Sequence, residues 1–206
     1  MKDNNEIAEK RMADHYEITQ AIHIGDKEVV FGEDNRDKSE TKYLCAFYQS
    51  NELFAQYFDC MDSTDYVEIM KLFVQRVSEQ CDKVLSEREK ITIPMDVITS
   101  DQCIPDDYRK NIDGKVIVLR PEVLRQEYRT ADRQLWLCTG GFGSAANSRG
   151  SACFCINLYS GKESRWERRD VLGEMKELPD WAKKRLAPIQ SERAEKNKPP
   201  KSKEER

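Results

Sequence analysis

Cys153 and Cys155 stand two residues apart in SACFCINLY, a spacing that puts both thiols on one face of a strand, where they could present two thiolates to a metal. A structural zinc site closes with further ligands in similarly close pairs. Cys45, Cys60, Cys81, Cys103 and Cys138 make no second pair. The expectation is therefore no metal and no cofactor, with the cysteines serving as small residues packed in a sheet.

Other residues invite other chemistry. Thr139 to Gly143, TGGFG, could cradle an anion with its backbone amides, but it lacks the Gly-Lys-Ser/Thr ending of a phosphate loop and no helix follows it. It reads as a tight bend between two strands. The two histidines, His15 and His23, lie near the first strand, and no nucleophile-elbow motif accompanies them. Asp101, Asp106 and Asp107 could hold a cation or move a proton. The acids around them are dense enough for that proximity to arise by chance. No catalytic residue is nominated. The best cluster for touching a partner is Arg149, Arg165, Trp166, Arg168 and Arg169, since arginine beside an aromatic ring suits phosphate contact, base stacking or a protein hot spot. Glu163, Glu167 and Asp170 are interleaved with it and lower the local potential.

The elements that must position these residues can be read in order. Residues 1–13 are polar and predict a flexible arm. Ile18, Ile22 and Ile24 alternate, Gly25-Asp26 offers a turn, and Val29 to Phe31 resume the pattern, which predicts a β-hairpin. KYLCAFYQSN predicts a third strand, whereas NELFAQYFDCM fits either a strand or a short helix. From Asp65 to Glu89, apolar residues recur at three- and four-residue intervals from Tyr66 to Leu85, with Arg76 among the charges on the opposite face. That pattern predicts a long amphipathic helix, with Asp62 as its N-cap. GKVIVLRP predicts a strand buried on both faces, QLWLCTGG its neighbour, and SACFCINLY and ESRWERRD a hairpin about Ser160-Gly161-Lys162. In SACFCINLY, Ala152, Phe154, Ile156 and Leu158 share one face and the cysteines the other. WAKKRL predicts a short helix, and residues 187–206 a disordered basic tail.

The result is an α+β chain, mainly antiparallel, with a first part over 14–93 and a β-rich part over 94–186 that could share one domain. At 38% hydrophobic and 35% charged residues, the chain can bury a core while leaving its ends solvated. No stretch is apolar for long enough to span a bilayer, and MKDNNEIAEKRMADH is no signal peptide, so a cytoplasmic protein with reduced thiols is expected. Charge is uneven: residues 1–60 hold 13 acids and 7 bases, and residues 183–206 hold 9 bases and 4 acids.

At IHIGDKEVVFGED, DYVEIMKLFVQRV, GKVIVLRPEVLRQEYR, QLWLCTGGFG and RWERRDVLG, over about residues 16 to 186, the chain resembles a family of small proteins carried on conjugative elements and prophages of gut Firmicutes. That resemblance implies a setting in which proteins protect the element from host defences or serve its transfer and replication. It points to a non-enzymatic anti-defence protein, such as an anti-CRISPR inhibitor, whose partner is a host nuclease. The alternative is an accessory factor that binds nucleic acid through the arginine cluster and the basic tail.

Overall fold

The computed structural model describes residues 10–37, 40–50 and 53–196, and the chain divides into two compact units, residues 1–90 and 91–206. The fold is α+β with two antiparallel sheets, as the alternation predicts. Among the described residues, no helix is long and apolar enough to cross a membrane. Most of the expected flexible arm (1–9) and half of the expected tail (197–206) lie outside the described residues.

The first unit is a five-stranded meander, β1 (Met12–Ala13), β2 (Tyr16–Ile24), β3 (Lys27–Glu33), β4 (Tyr43–Ser50) and β5 (Ala55–Ser63), in sequence order. Gly25 takes a φ of 69°, which lets two residues join Ile24 to Lys27. Both faces of the central strands are covered. Val29, Phe31, Cys45 and Phe47 pack against Ile69 and Phe73 of helix α1 (Tyr66–Glu89), while Tyr16, Val30, Leu44 and Ala46 form a second cluster on the other face. Arg11 lies over that second face, its guanidinium 3.9 Å from the Tyr48 ring centroid and bonded to both carboxylate oxygens of Glu28.

β5 settles the ambiguous NELFAQYFDCM as a strand. Its alternation is broken by a bulge: Cys45 pairs with Met61 and Phe47 with Phe58, so Asp59 and Cys60 face the single residue Ala46, and Asp59 takes a φ of 52°.

Two expectations for α1 are corrected. The N-cap is Asp65, whose Oδ1 accepts from the amides of Val67 at 2.8 Å and Glu68 at 3.2 Å. Asp62 is still in β5, where its Oδ2 accepts from Thr41 and Tyr16 hydroxyls. The buried stripe is Ile69, Phe73, Arg76, Gln80 and Val84, so Arg76 faces inward and Val74 and Leu85 stay exposed. Arg76 is tolerated there because it donates to the Cys45 carbonyl and to Asp59 Oδ2 at 3.2 and 3.0 Å, both at the bulge.

The second unit holds β6 (Cys103–Pro105), β7 (Val116–Leu119), β8 (Leu135–Gly140), β9 (Ala152–Asn157), β10 (Glu163–Glu167) and β11 (Val171–Met175), in the order β10-β9-β8-β7-β11-β6. Between β7 and β8 the chain makes two 3-10 turns and the short helix α2 (Ala131–Gln134). Gln134, wholly buried, accepts from Ile98 N–H and donates to the carbonyls of Ile98 and Leu119.

VIVL is buried on both faces, as its unbroken apolar run predicts. Val116, Val118, Leu135 and Leu137 pack with helix α3 (Asp180–Lys196) through Ala182, while Ile117, Leu119, Trp136 and Val171 pack with the cysteines on the opposite face. α3 runs well past the predicted WAKKRL, continuing through Pro188 into the stretch expected to be tail.

Candidate functional site

β8, the bend after it, and the β9–β10 hairpin bring the informative residues together. Gly140 and Gly141 take φ of 137° and 100°, and a Cβ at Gly141 or Gly143 would strike the carbonyl oxygen of Ala152 or Ser151. The bend is thus closed on its own return strand. The amides of Gly143, Ser144 and Asn147 donate to the carbonyls of Ala152, Gly141 and Tyr108, so they build the bend and do not line an anion cradle.

Arg168 holds this bend from inside. Its guanidinium has five N–H groups, and all are engaged: Nε and one terminal nitrogen with the two Asp106 oxygens, the remaining three with the carbonyls of Gly143, Ser144 and Lys110. Arg168 is 1% exposed. Its assignment to a contact surface is therefore corrected: a buried planar fork, matched by a carboxylate and three carbonyls, is a structural tie.

The other nominated residues do not share one surface. Arg165 is exposed and paired with Glu167 at 2.6 Å. Trp166, the next residue on β10, projects to the opposite face, half-buried and edge-on to Trp136 with ring centroids 5.5 Å apart. Its indole Nε1 is buried with no partner. Arg149 and Arg169 are exposed, on the bend and after β10 respectively. What joins Arg165 is Phe154, its register partner on β9, 53% exposed. Phe142, at the tip of the bend, is 83% exposed. Sequence reading passed over both, although a phenylalanine between two glycines signals a side chain that the bend cannot cover.

The cysteines occupy the covered face. In β9, Cys153 and Cys155 are buried while Phe154 is open, the reverse of what side-chain apolarity alone suggests. Cys138 of β8 is the register partner of Cys155, so three thiols meet beneath Trp136 and Trp166. Hydrogen bonds from Cys153 and then Cys155 draw the Cys138 thiol well below its ordinary pKa against the opposing effect of burial, with the Gly140 backbone and the Arg168 charge adding to the shift. The same bonds, with burial, push Cys153 and Cys155 up. The spacing of Cys153 and Cys155 was legible; their third member required the strand register.

Three other candidate groups are engaged elsewhere. His15, in the first unit, has Nδ1 2.7 Å from Asp14 and Nε2 3.7 Å from buried Asp34. Asp107 accepts from the Arg109 amide, and the Thr99 hydroxyl bond holds Asp101 below its ordinary pKa. Among the described residues, no group of three or more His, Cys, Asp or Glu is placed to hold a metal ion. An open cleft of about 590 Å³ lies in the second unit, with Pro94, Ile98, Met175, Leu178 and Trp181 among its walls. Compared with protein-family models, with curated proteins and with solved structures, the chain finds no match.

Proposed function

We propose that the chain is a non-enzymatic, cytoplasmic binding protein of a mobile genetic element, an anti-defence inhibitor of the anti-CRISPR type that docks on a host nuclease. The observation carrying this reading is the pairing of exposed aromatics with a rigid support: Phe142 is 83% exposed on a bend clamped by Arg168. An aromatic side chain carried on a fixed backbone leaves less of the chain to order on docking, which suits an interface anchor. Phe154 and Arg165 extend the same character onto the hairpin. The excess of 13 acids over 7 bases in residues 1–60 adds charge complementary to a basic nucleic-acid channel.

The test is co-purification with candidate defence nucleases, followed by a cleavage assay. The wild type slows cleavage, and a Phe142→Ala/Phe154→Ala variant with unchanged circular dichroism loses about tenfold or more in affinity. Absence of binding to every effector tried, or full inhibition by the double variant, overturns the reading.

A second reading, an accessory factor that binds nucleic acid during transfer or replication, is favoured by Arg165 beside Phe154 and by exposed Arg149 and Arg169. It requires retardation of DNA or RNA that weakens steeply with salt.

A further inference from the structure

Helix α1 carries more apolar surface than its own sheet uses. The buried stripe is Ile69, Phe73, Arg76, Gln80 and Val84, and Met70 and Val77 are half-buried beside it. Beyond that edge, Val67, Val74 and Leu85 are 71%, 59% and 53% exposed. Val67, Val74 and Cys81 recur at seven-residue intervals and Leu85 follows one turn later, so all four lie in one stripe. From Val67 to Leu85 it runs about 27 Å along the helix. Such a stripe is the seam of a helix pair.

The flanks of the stripe select the partner. At about 3.6 residues per turn, Lys71, Ser78 and Asp82 fall on one side of it and Met70 and Val77 on the other. Among the described residues, Lys71 and Asp82 are exposed and make no ion pair, whereas Arg76 and Lys83 of the same helix reach Asp59 and Asp26. Turned end for end about an axis near residues 76 and 77, this surface matches itself. Val67 then meets Leu85 of the second copy, Val74 meets Ser78, and Lys71 meets Asp82, each contact occurring twice. The polar flank faces the polar flank, and the flank of Met70 and Val77 faces its own counterpart. A parallel pair would instead set the charged flank of one helix against Met70 and Val77 of the other.

We propose that α1 is a homodimer interface, in which the stripes of two copies pack antiparallel and two ion pairs between Lys71 and Asp82 fix the register. Cys81 reports the direction of the pair. In the antiparallel arrangement the two Cys81 Cα atoms are about 13 Å apart along the axis, beyond the roughly 7 Å that a disulfide can bridge. In a parallel arrangement they would lie side by side. The stripe belongs to the first unit, whereas Phe142 and Phe154 belong to the second, so the dimer and the nuclease reading stand or fall separately.

The experiment is analytical ultracentrifugation of the reduced full-length chain over a range of concentrations, with circular dichroism to check the folding of each variant. The wild type is expected to sediment as a reversible dimer and Val74→Glu as a monomer. Lys71→Glu and Asp82→Lys each raise the dimer dissociation constant about tenfold or more, because each sets like charges together twice. Mixed in equal amounts, these two variants recover a dimer of wild-type affinity, since every charge then meets its opposite. The proposal is overturned by a wild type that stays monomeric at its highest soluble concentration, by a dimeric Val74→Glu, or by a mixture that gains nothing over its components. A disulfide between two Cys81 residues, formed by mild oxidation in a Cys60→Ser background, would also overturn it by showing a parallel pair. The mass of the wild type decides whether a dimer exists even where a variant fails to fold.

Discussion

The Arg168 guanidinium and the Asp106 carboxylate meet as a two-bonded fork across 62 residues of sequence, both N···O distances being 2.6 Å. Because the same guanidinium also collects the carbonyls of Gly143, Ser144 and Lys110, one side chain joins the segment before β7 to the bend after β8. Arg168→Ala strands a buried carboxylate and three carbonyls, with an expected loss of about 3–5 kcal/mol in urea unfolding. Arg168→Lys keeps the charge but not the fork, and most of that loss remains. A cost below about 0.5 kcal/mol for either change would show that the tie is dispensable.

Glycines of the bend and of the hairpin turn separate two effects of a side chain. Gly161 has a φ of 72° but open space around it, so Gly161→Ala costs only the left-handed backbone penalty of about 1–2 kcal/mol. At Gly141 a methyl group meets both a positive φ and the Ala152 carbonyl, and at Gly143 it meets the Ser151 carbonyl. Thermal unfolding should rank Gly141→Ala as more damaging than Gly161→Ala. The reverse order would show that the bend relaxes freely.

Capping distinguishes Asp65 from Asp62. Asp65→Ala removes the acceptor for the Val67 and Glu68 amides, costs about 1 kcal/mol, and speeds hydrogen exchange at those two amides. Asp62→Ala disturbs Thr41 and Tyr16 while leaving the first turn of α1 protected. Equal exchange in both variants would contradict this assignment.

The thiols should titrate on opposite sides of the ordinary thiol value. Burial raises Cys45 and Cys103 above their ordinary 9.0, whereas hydrogen bonds from Cys153 and Cys155 lower Cys138. For the raised pair, folding favours the neutral thiol. Their stabilisation is complete below 9.0 and is lost as pH rises through their folded values. Ultraviolet thiolate absorbance should therefore show a Cys138 signal below the ordinary thiol range, absent from Cys138→Ser. Cys45→Ser and Cys103→Ser should remove signal only from the alkaline end.

Local signals in the sequence correspond closely to local features of the fold. Gly25-Asp26 and its flanking alternation mark the first hairpin, VIVL a strand covered on both sides, and TGGFG a bend. What escaped depends on contacts that spacing does not encode. Arg76 looks like a solvated helix charge because the bulge that it satisfies lies on another element. That bulge also breaks the alternation in NELFAQYFDCM, which is why strand and helix read equally well there. Arg168 sits among Glu167, Arg169 and Asp170 and looks like one more surface charge, since its partner Asp106 is remote in sequence. Cys138 joins Cys155 only through the register of β8 against β9, across a bend whose length hides the pairing.

The bulge at Asp59 bears on how the chain behaves when crowded. β5 is an outermost strand of nine residues, long enough to offer its free backbone edge as a template for strands of other molecules. A left-handed residue in mid-strand interrupts the regular rhythm of donors and acceptors that such zippering needs, and Arg76 holds that residue by its carboxylate. The kink thereby guards the sheet against aggregation, and the helix that packs on the sheet also keeps its edge irregular.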